Sequence, residues 1–252
     1  MTFSLAGRCE RTGMVGGIVC SSSIAVPSRC LWASPHGVVL SQNVTDPRLG
    51  VLGLQLLAQG FGARSTLRQL QDARPYAEWR QLAVLDADGS RDAVTGAKGL
   101  GTIATKAGRD CIAAGNLLAH DGIPAAMADA FDASNASSLP ERLILALEAG
   151  AAAGGEAGPV HSAGFCVYGR DVWPLAELRV DWSDEPIADL RALWQRYEPQ
   201  MNDYATRAKR PEQAPSYGVP ANENCTLWPL MSPRSESVFF ASFLCRFPPM
   251  SG

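Results

Sequence analysis

The fold is decided by TFSLAGR, residues 2–8, and MVGGIVCSS, residues 14–22. Both stretches predict strands, and Arg11, Thr12 and Gly13 between them supply the turn of a hairpin. A second strand pair is predicted at 30–32 and 37–41, separated by a turn at 34–37. Apolar and polar residues alternate poorly in this pair, which is rich in Gly and Val. That pattern indicates strands covered on both faces, as in a layered sandwich.

Blocks of helices and strands then alternate along the chain. Asp46 and Pro47 are typical of a helix N-cap and first helical position, and Ser138 and Glu141 have the spacing of a capping box. Helices are predicted from 47 to about 60, at 65–72, 123–132, 139–152 and 186–208, and further strands at 81–86, 91–95, 102–105, 111–118, 163–169 and 176–182. This order favours stacked sheets with helices outside. We predict an α+β fold, a four-layer αββα sandwich over residues 1–210. A parallel βαβ fold is the alternative, and the hairpins count against it.

Composition narrows the class of protein. The 252 residues carry 22 Lys+Arg and 25 Asp+Glu, a net charge of −3, which argues against nucleic acid as a partner. No apolar run approaches the ~18 residues of a membrane span, and charges at residues 8, 10 and 11 interrupt any secretory signal. The odd number of seven Cys, without a CxxC pair, favours reduced thiols and a cytoplasmic location. The three His are far apart, so we expect no metal, and no motif predicts a cofactor.

Residues 211–252 differ from the rest. They hold seven of the 17 Pro, only five charged residues, one Trp and four Phe. We interpret them as an irregular C-terminal extension. Because an exposed aromatic tail is adhesive, we expect it to pack on its own chain or on a second copy, as a homodimer.

Several stretches together resemble one known family. They are MTFSLAGR at the start, CSSSIAV at 20–26, Arg29-Cys30-x-Trp32, SQNVTDPRL at 41–49, GNLL at 115–118, EAGAAAGGEAGPVHSA at 148–163, LRVDWSDEPIADL at 178–190 and SYGV at 216–219. In this order they resemble the DUF1028 family of uncharacterised proteins, which is assigned to the N-terminal-nucleophile (Ntn) hydrolases. The resemblance covers about residues 1–219. It implies an αββα fold with the chain start at the centre of the site, and it carries no substrate.

Thr2 is the candidate nucleophile. Removal of Met1 would leave a hydroxyl and a free α-amine on one residue, and an α-amine has an ordinary pKa of about 7.7–8.0. Such an amine takes the hydroxyl proton without a separate His. The alternative is that Thr2 only begins an edge strand. If Met1 stays, the amine is blocked.

Candidate partners of Thr2 lie at predicted strand ends. We expect Ser21 and Ser22 to bind the nucleophile or the substrate, or else to form only a turn. In the wider superfamily this run often has a basic residue, which Ser22 is not, so a proteasome-like Lys role is not carried over. Arg29 is the candidate cation for a substrate carboxylate or an oxyanion, and a surface salt bridge is its alternative.

Amide side chains and one His complete the candidate site. Gln42 and Asn43 precede the helix start at Asp46, where amide groups suit an oxyanion hole. Asn116 is a polar residue in an apolar strand, so it either completes a site or braces a turn. His161 is a candidate acid or substrate ligand, with a structural loop His as the alternative.

These residues give two functional hypotheses. The first is an amidohydrolase that acts on a small linear or cyclic amide, in which Thr2 attacks and Asn43 or Asn116 donates to the oxyanion. The second is a non-catalytic protein that binds a small molecule and reuses the Ntn-hydrolase scaffold.

Overall fold

The computed structural model describes residues 2–134 and 138–216. The strands are β1 Thr2–Cys9, β2 Met14–Ser21, β3 Leu31–Ser34, β4 Gly37–Asn43, β5 Arg80–Asp86, β6 Arg91–Thr95, β7 Ala104–Ala107, β8 Cys111–Asn116, β9 Ser162–Tyr168 and β10 Pro174–Val180. The helices are α1 Pro27–Cys30, α2 Pro47–Ala58, α3 Ala63–Ala73, α4 Ile123–Ala133, α5 Leu139–Ala152 and α6 Pro186–Lys209. The predicted extension lies outside the described residues from 217 onward, and so does its predicted role in a homodimer.

Two sheets organise the described residues. One has six strands in the order β10-β9-β2-β1-β8-β7, and the other has four in the order β3-β4-β5-β6. Every pairing between these strands is antiparallel. The parallel βαβ alternative is therefore wrong, because the close hairpins pair neighbouring strands directly. β1 lies between β2 and β8, so Thr2 begins a central strand and not an edge strand.

Apolar side chains cover both faces of both sheets. On β1, Phe3 and Leu5 point to one face and join a cluster with α4, α5 and α6. Ala6 points to the other face and joins a cluster that includes Val38 and Leu40 of the four-stranded sheet. A third cluster joins the far face of that sheet to α2 and α3. This two-sided burial explains the poor alternation in the sequence, since a strand with no wet face has no polar positions to alternate with. The fold is a mixed α+β arrangement of antiparallel sheets and helices.

Both predicted helix starts, at 47 and 139, are correct, but only one of the two predicted caps forms. Asp46 caps α2, and its side chain accepts a hydrogen bond of 3.1 Å from the backbone N–H of Arg48. Ser138 precedes α5, but its side chain makes no capping hydrogen bond. The predicted capping box fails because Glu141 bonds elsewhere, to Arg191 and to the indole N–H of Trp194.

Arg191 of α6 holds two carboxylates of α5. Its guanidinium donates to Glu141 at 2.6 Å and to Glu148 at 2.7 Å. This double ion pair fixes the packing of α6 against α5. Within the described part of the chain, no helix combines the length and the apolar character that a bilayer crossing needs.

Candidate functional site

A row of four polar residues crosses the six-stranded sheet at one end. Thr2 of β1 pairs with Asn116 of β8. The pairing of Phe3 with Cys20 puts Ser21 of β2 on the other side of Thr2, and Ser21 pairs with Ser162 of β9. We call these four residues the polar row. Thr2 is only 4% exposed, and the other three are fully buried.

The polar row points toward the four-stranded sheet. Side chains two residues apart on a strand share a face, and Thr2 shares its face with Ser4 and Ala6. Ser4 bonds Gln42 of the other sheet, and Ala6 packs in the cluster between the sheets. Directly paired residues project to the same face, so Asn116 and Ser21 project in the same direction as Thr2.

A chain of buried amides supports the polar row from the other sheet. Ser4 Oγ donates to Gln42 Oε1 at 2.7 Å, and Gln42 Nε2 donates to Gln81 Oε1 at 2.8 Å. Asn116 Nδ2 donates to the same Gln81 oxygen at 3.1 Å, and Gln81 Nε2 donates to the Gly115 carbonyl at 3.0 Å. We call Ser4, Gln42, Gln81 and Asn116 the amide network. It connects the two sheets directly beneath Thr2.

The amide network changes the roles predicted for Asn116 and Gln42. Asn116 Nδ2 is engaged by Gln81, whereas its buried Oδ1 has no hydrogen-bond partner among the described residues. The available atom of Asn116 is therefore an acceptor, whereas an oxyanion hole needs a donor. Gln42 is fully buried, and both of its amide atoms are hydrogen-bonded within the amide network, which links it to Asn116 through Gln81.

Asn43 ends β4 in the left-handed region, with φ of +72°. This backbone turns its side chain toward the segment after β6, where Asn43 Oδ1 accepts from the Leu100 N–H at 3.4 Å. Leu100 in turn accepts from the N–H of Leu117, the residue after Asn116, at 3.3 Å. Asn43 Nδ2 is buried and has no partner in the described part of the chain. This amide N–H is a donor of the kind that an oxyanion needs, and Leu100 connects Asn43 to the residue after Asn116.

The serines after β2 form a turn that Arg29 covers. Ser21 and Ser23 share a hydroxyl–hydroxyl hydrogen bond of 2.9 Å. Arg29 donates to Ser23 Oγ and to the Ala25 carbonyl, both at 3.3 Å. No carboxylate of residues 2–134 or 138–216 forms an ion pair with Arg29. The guanidinium is joined to Ser21 of the polar row through one hydroxyl.

His161 is held in place by contacts of its backbone and of its ring. Its backbone N–H donates to the Ser21 carbonyl at 2.8 Å. Its ring stacks on Trp182 with centroids 4.4 Å apart, and Nδ1 lies 3.2 Å from the Ser183 carbonyl. The ring also lies 3.6 Å from the carboxylate of Asp184. These contacts hold the ring at the segment after β10, and the neighbouring Ser162 supplies the side chain that joins the polar row.

Glu156 is a buried acid that the sequence analysis did not single out. Its carboxylate accepts from the Ser22 N–H with both oxygens, at 3.1 and 3.2 Å, and the residue is 5% exposed. Burial disfavours its charged form and raises its pKa to about 7, although hydrogen bonds from Ser22 and Ser21 oppose the shift. An acid–base group that titrates near neutrality therefore lies beside the polar row.

Gln81 and Glu156 carry the geometry that sequence reasoning missed. Gln81 is a polar residue in a buried strand, which is the same signal that points to Asn116. Glu156 comes directly after Gly154 and Gly155, whose positive φ values of +123° and +57° are a turn signal that does not by itself point to chemistry. Over the described residues, no three side chains of His, Cys, Asp or Glu gather as metal ligands.

Similar proteins are known by sequence model and by structure. No curated protein matches the chain. The crystal structure of protein SPO2555 from Silicibacter pomeroyi, of family model DUF1028, is similar with a TM-score of 0.75 and 29% identity over 82% of this chain and 90% of that one. Anbu from Hyphomicrobium sp. strain MC1 is similar at a TM-score of 0.35 and 13% identity, over 79% of this chain and 95% of that one. Its Gly-1 mutant gives 0.37 and 14%, over 81% and 99%.

The model of one family, "Family of unknown function (DUF1028)", matches residues 2–190. With most of the chain matched, this protein belongs to the DUF1028 family.

Proposed function

We propose that this protein is an amide hydrolase of the N-terminal-nucleophile type, built as a four-layer αββα sandwich, that acts on a small linear or cyclic amide. Thr2, exposed as the first residue by removal of Met1, is the nucleophile. The observation that carries the proposal is the position of Thr2. It begins a central buried strand, in a row with Ser21 and Asn116, above a network of buried amides.

The proposed reaction has two stages. The Thr2 hydroxyl attacks the amide carbonyl while the α-amine of the same residue takes the hydroxyl proton. The carbon–oxygen bond forms, the carbon–nitrogen bond breaks, and the leaving amine receives the proton from the α-ammonium. Water then attacks the resulting ester with the amine as base, which releases the acid and restores the hydroxyl. No other group is needed for the balance of protons.

The amide side chains take separate roles in this proposal. Asn43 Nδ2, a buried donor without a described partner, suits the oxyanion. Asn116 Oδ1, a buried acceptor beside Thr2, suits a proton of the α-amine or the hydroxyl. Gln81 fixes the orientation of Asn116, because its oxygen accepts from Asn116 Nδ2.

Arg29 and the serine turn form the proposed substrate side of the site. Ser22 is half-buried, and Arg29 carries a positive charge with no acidic partner among the described residues. A guanidinium in this state binds carboxylates well. The amide substrate in this proposal therefore bears a carboxylate.

The first experiment asks whether Thr2 is the first residue of the native chain. The untagged protein is purified and its intact mass is measured before and after treatment with periodate, which cleaves a 1,2-amino alcohol with a free amine. We expect a mass lower by one methionine and a further loss with periodate. A chain that retains Met1 would refute the proposal.

The second experiment asks whether Thr2 acts. Wild type, Thr2→Ser and Thr2→Ala are assayed on a panel of carboxylated and neutral amides by detecting the released amine. We expect turnover by wild type and Thr2→Ser and none by Thr2→Ala.

A non-catalytic binding protein is the second candidate function. It is favoured by the burial of Thr2, at 4% exposed, since a reacting hydroxyl must meet its substrate. Tight binding of an amide by wild type and Thr2→Ala alike, without turnover, would support this candidate instead.

A further inference from the structure

The backbone at Glu156 is hydrogen-bonded to the segment that follows β8. Gly154 and Gly155 turn the chain back after α5 through positive φ values that other residues rarely adopt. The Gly155 carbonyl then accepts from the Ala119 N–H at 3.1 Å, and Glu156 forms a β-bridge with Leu118. Glu156 therefore lies opposite Leu118, which is two residues beyond Asn116, on one side of β1.

The side chain of Glu156 accepts hydrogen bonds from the segment that follows β2. Both carboxylate oxygens accept from the N–H of Ser22, the residue after Ser21. Because β1 lies between β2 and β8, a residue that contacts Leu118 on one side and Ser22 on the other spans the end of β1. Thr2 is the first residue of that strand. The carboxylate therefore lies at the end of the strand where the backbone nitrogen of Thr2 is found.

Few other titratable groups face this carboxylate. From β2 the thiol of Cys20 feels its charge, and burial raises the pKa of that thiol far above its usual range, so it stays neutral. Next to the Gly154–Gly155 turn, the ring of His120 bonds the Ala153 carbonyl at 2.6 Å. The Ser21 hydroxyl also bonds the carboxylate. Among the described residues no Lys or Arg forms an ion pair with Glu156, so its charge has no side-chain counter-ion there.

We propose that Glu156 is a positioning residue that binds the α-ammonium of Thr2 and holds that nitrogen beside the Thr2 hydroxyl. This inference rests on the proposed function, because it needs Thr2 as the first residue. The carboxylate accepts one N–H of the ammonium, while Ser22 keeps the carboxylate in place. The nitrogen is then oriented before substrate arrives, and the opposite charge raises the pKa of the amine.

The test measures the pKa of the α-amine without any substrate. The full chain from Thr2 onward is released from an N-terminal fusion that leaves Thr2 first, as wild type, Glu156→Gln, Glu156→Asp and a control, Glu198→Gln, at an exposed acid on α6. The rate of acetylation of the α-amine by trace acetic anhydride is followed against pH by peptide mass spectrometry. Thermal unfolding of each variant checks that it is folded.

We expect the amine pKa to lie above its ordinary 7.7–8.0 in wild type and in Glu198→Gln. In Glu156→Gln it should fall by about one unit or more, because an opposite charge within contact distance is lost. Glu156→Asp, which keeps the charge on a shorter side chain, should lie between them. An equal amine pKa in wild type and Glu156→Gln, or any other order, would overturn the proposal.

The result separates this inference from the proposed function. If the native chain retains Met1 or turns over no amide, the proposed function fails, and the amine pKa of the released chain still reports on Glu156. If amides are turned over and the amine pKa does not respond to Glu156, only the positioning role fails.

Discussion

Replacing Gln81 by Leu should destabilise the fold more than a typical buried substitution. Gln81 Oε1 accepts from Gln42 Nε2 and from Asn116 Nδ2, and Gln81 Nε2 donates to the Gly115 carbonyl. Gln81 Nε2 also donates to the Ala104 carbonyl at 3.4 Å, and Leu keeps the approximate size of the side chain but removes all four bonds. A buried donor left without a partner costs about 1–3 kcal/mol, and two side-chain amides are affected. We therefore expect a loss of about 3–5 kcal/mol, a large part of the 5–15 kcal/mol typical of a domain.

The assay is equilibrium unfolding in urea of Gln81→Leu, Gln42→Leu and the double variant. Gln42→Leu should cost about 1–2 kcal/mol, because the Ser4 hydroxyl keeps a contact with the Ala114 carbonyl at 3.4 Å. The double variant should cost less than the sum of the single ones, since Gln81→Leu leaves the Gln42 Nε2 donor without its acceptor and the second change removes that donor. A cost below about 1 kcal/mol for Gln81→Leu, or strict additivity, would refute the reasoning.

Three further predictions concern stability. The pKa of Glu156 is raised to about 7, so the folded protein binds this proton more tightly than the unfolded chain does. The resulting stabilisation of the fold is fully present below about pH 4.5 and is lost, by up to about 3 kcal/mol, as the pH rises through 7. The free energy of unfolding in urea should show this pH dependence in wild type and not in Glu156→Gln. Gly50→Ala places a Cβ 2.0 Å from the Trp32 ring and should cost about 1–3 kcal/mol of stability. Gly169→Ala, which has open space around it, should change the free energy of unfolding by no more than about 0.5 kcal/mol, and equal unfolding midpoints for the two variants would contradict the prediction. Arg191→Met leaves the carboxylates of Glu141 and Glu148 without their cation and should cost about 1–2 kcal/mol of stability. Arg64→Met, in an exposed ion pair, should cost under about 0.5 kcal/mol, and the reverse order would be evidence that the double ion pair does not stabilise the packing of α6 on α5.

Local sequence signals predicted the elements well. The turn at 11–13 fixed the first hairpin, and Asp46 with Pro47 fixed the start of α2, because both signals act over a few residues. The capping box at Ser138 has an equally good local pattern. It fails because Arg191 and Trp194, distant in sequence, bind Glu141. A local pattern cannot include that competition.

The sequence points to Thr2, Ser21 and Asn116, but not to the contacts that bring them together. The chain start and the family resemblance make Thr2 the proposed nucleophile. Its pairing with Asn116, and the link from Asn116 to Gln81, join segments that are far apart in sequence and meet only through the sheet order. Glu156 reaches Ser22 across the end of a strand, which follows from topology and not from any spacing of residues. Long-range pairing of this kind is therefore the part of the site that sequence reasoning could not supply.

The central place of β1 also sets an order of events during synthesis. β2 is synthesised directly after β1, but β8 is complete only when residue 116 has been made, 73 residues after the end of β4 at Asn43. Contacts between such distant segments form late in folding. In the proposed function, which requires removal of Met1, an aminopeptidase would thus meet the nascent chain before β8 pairs with Thr2.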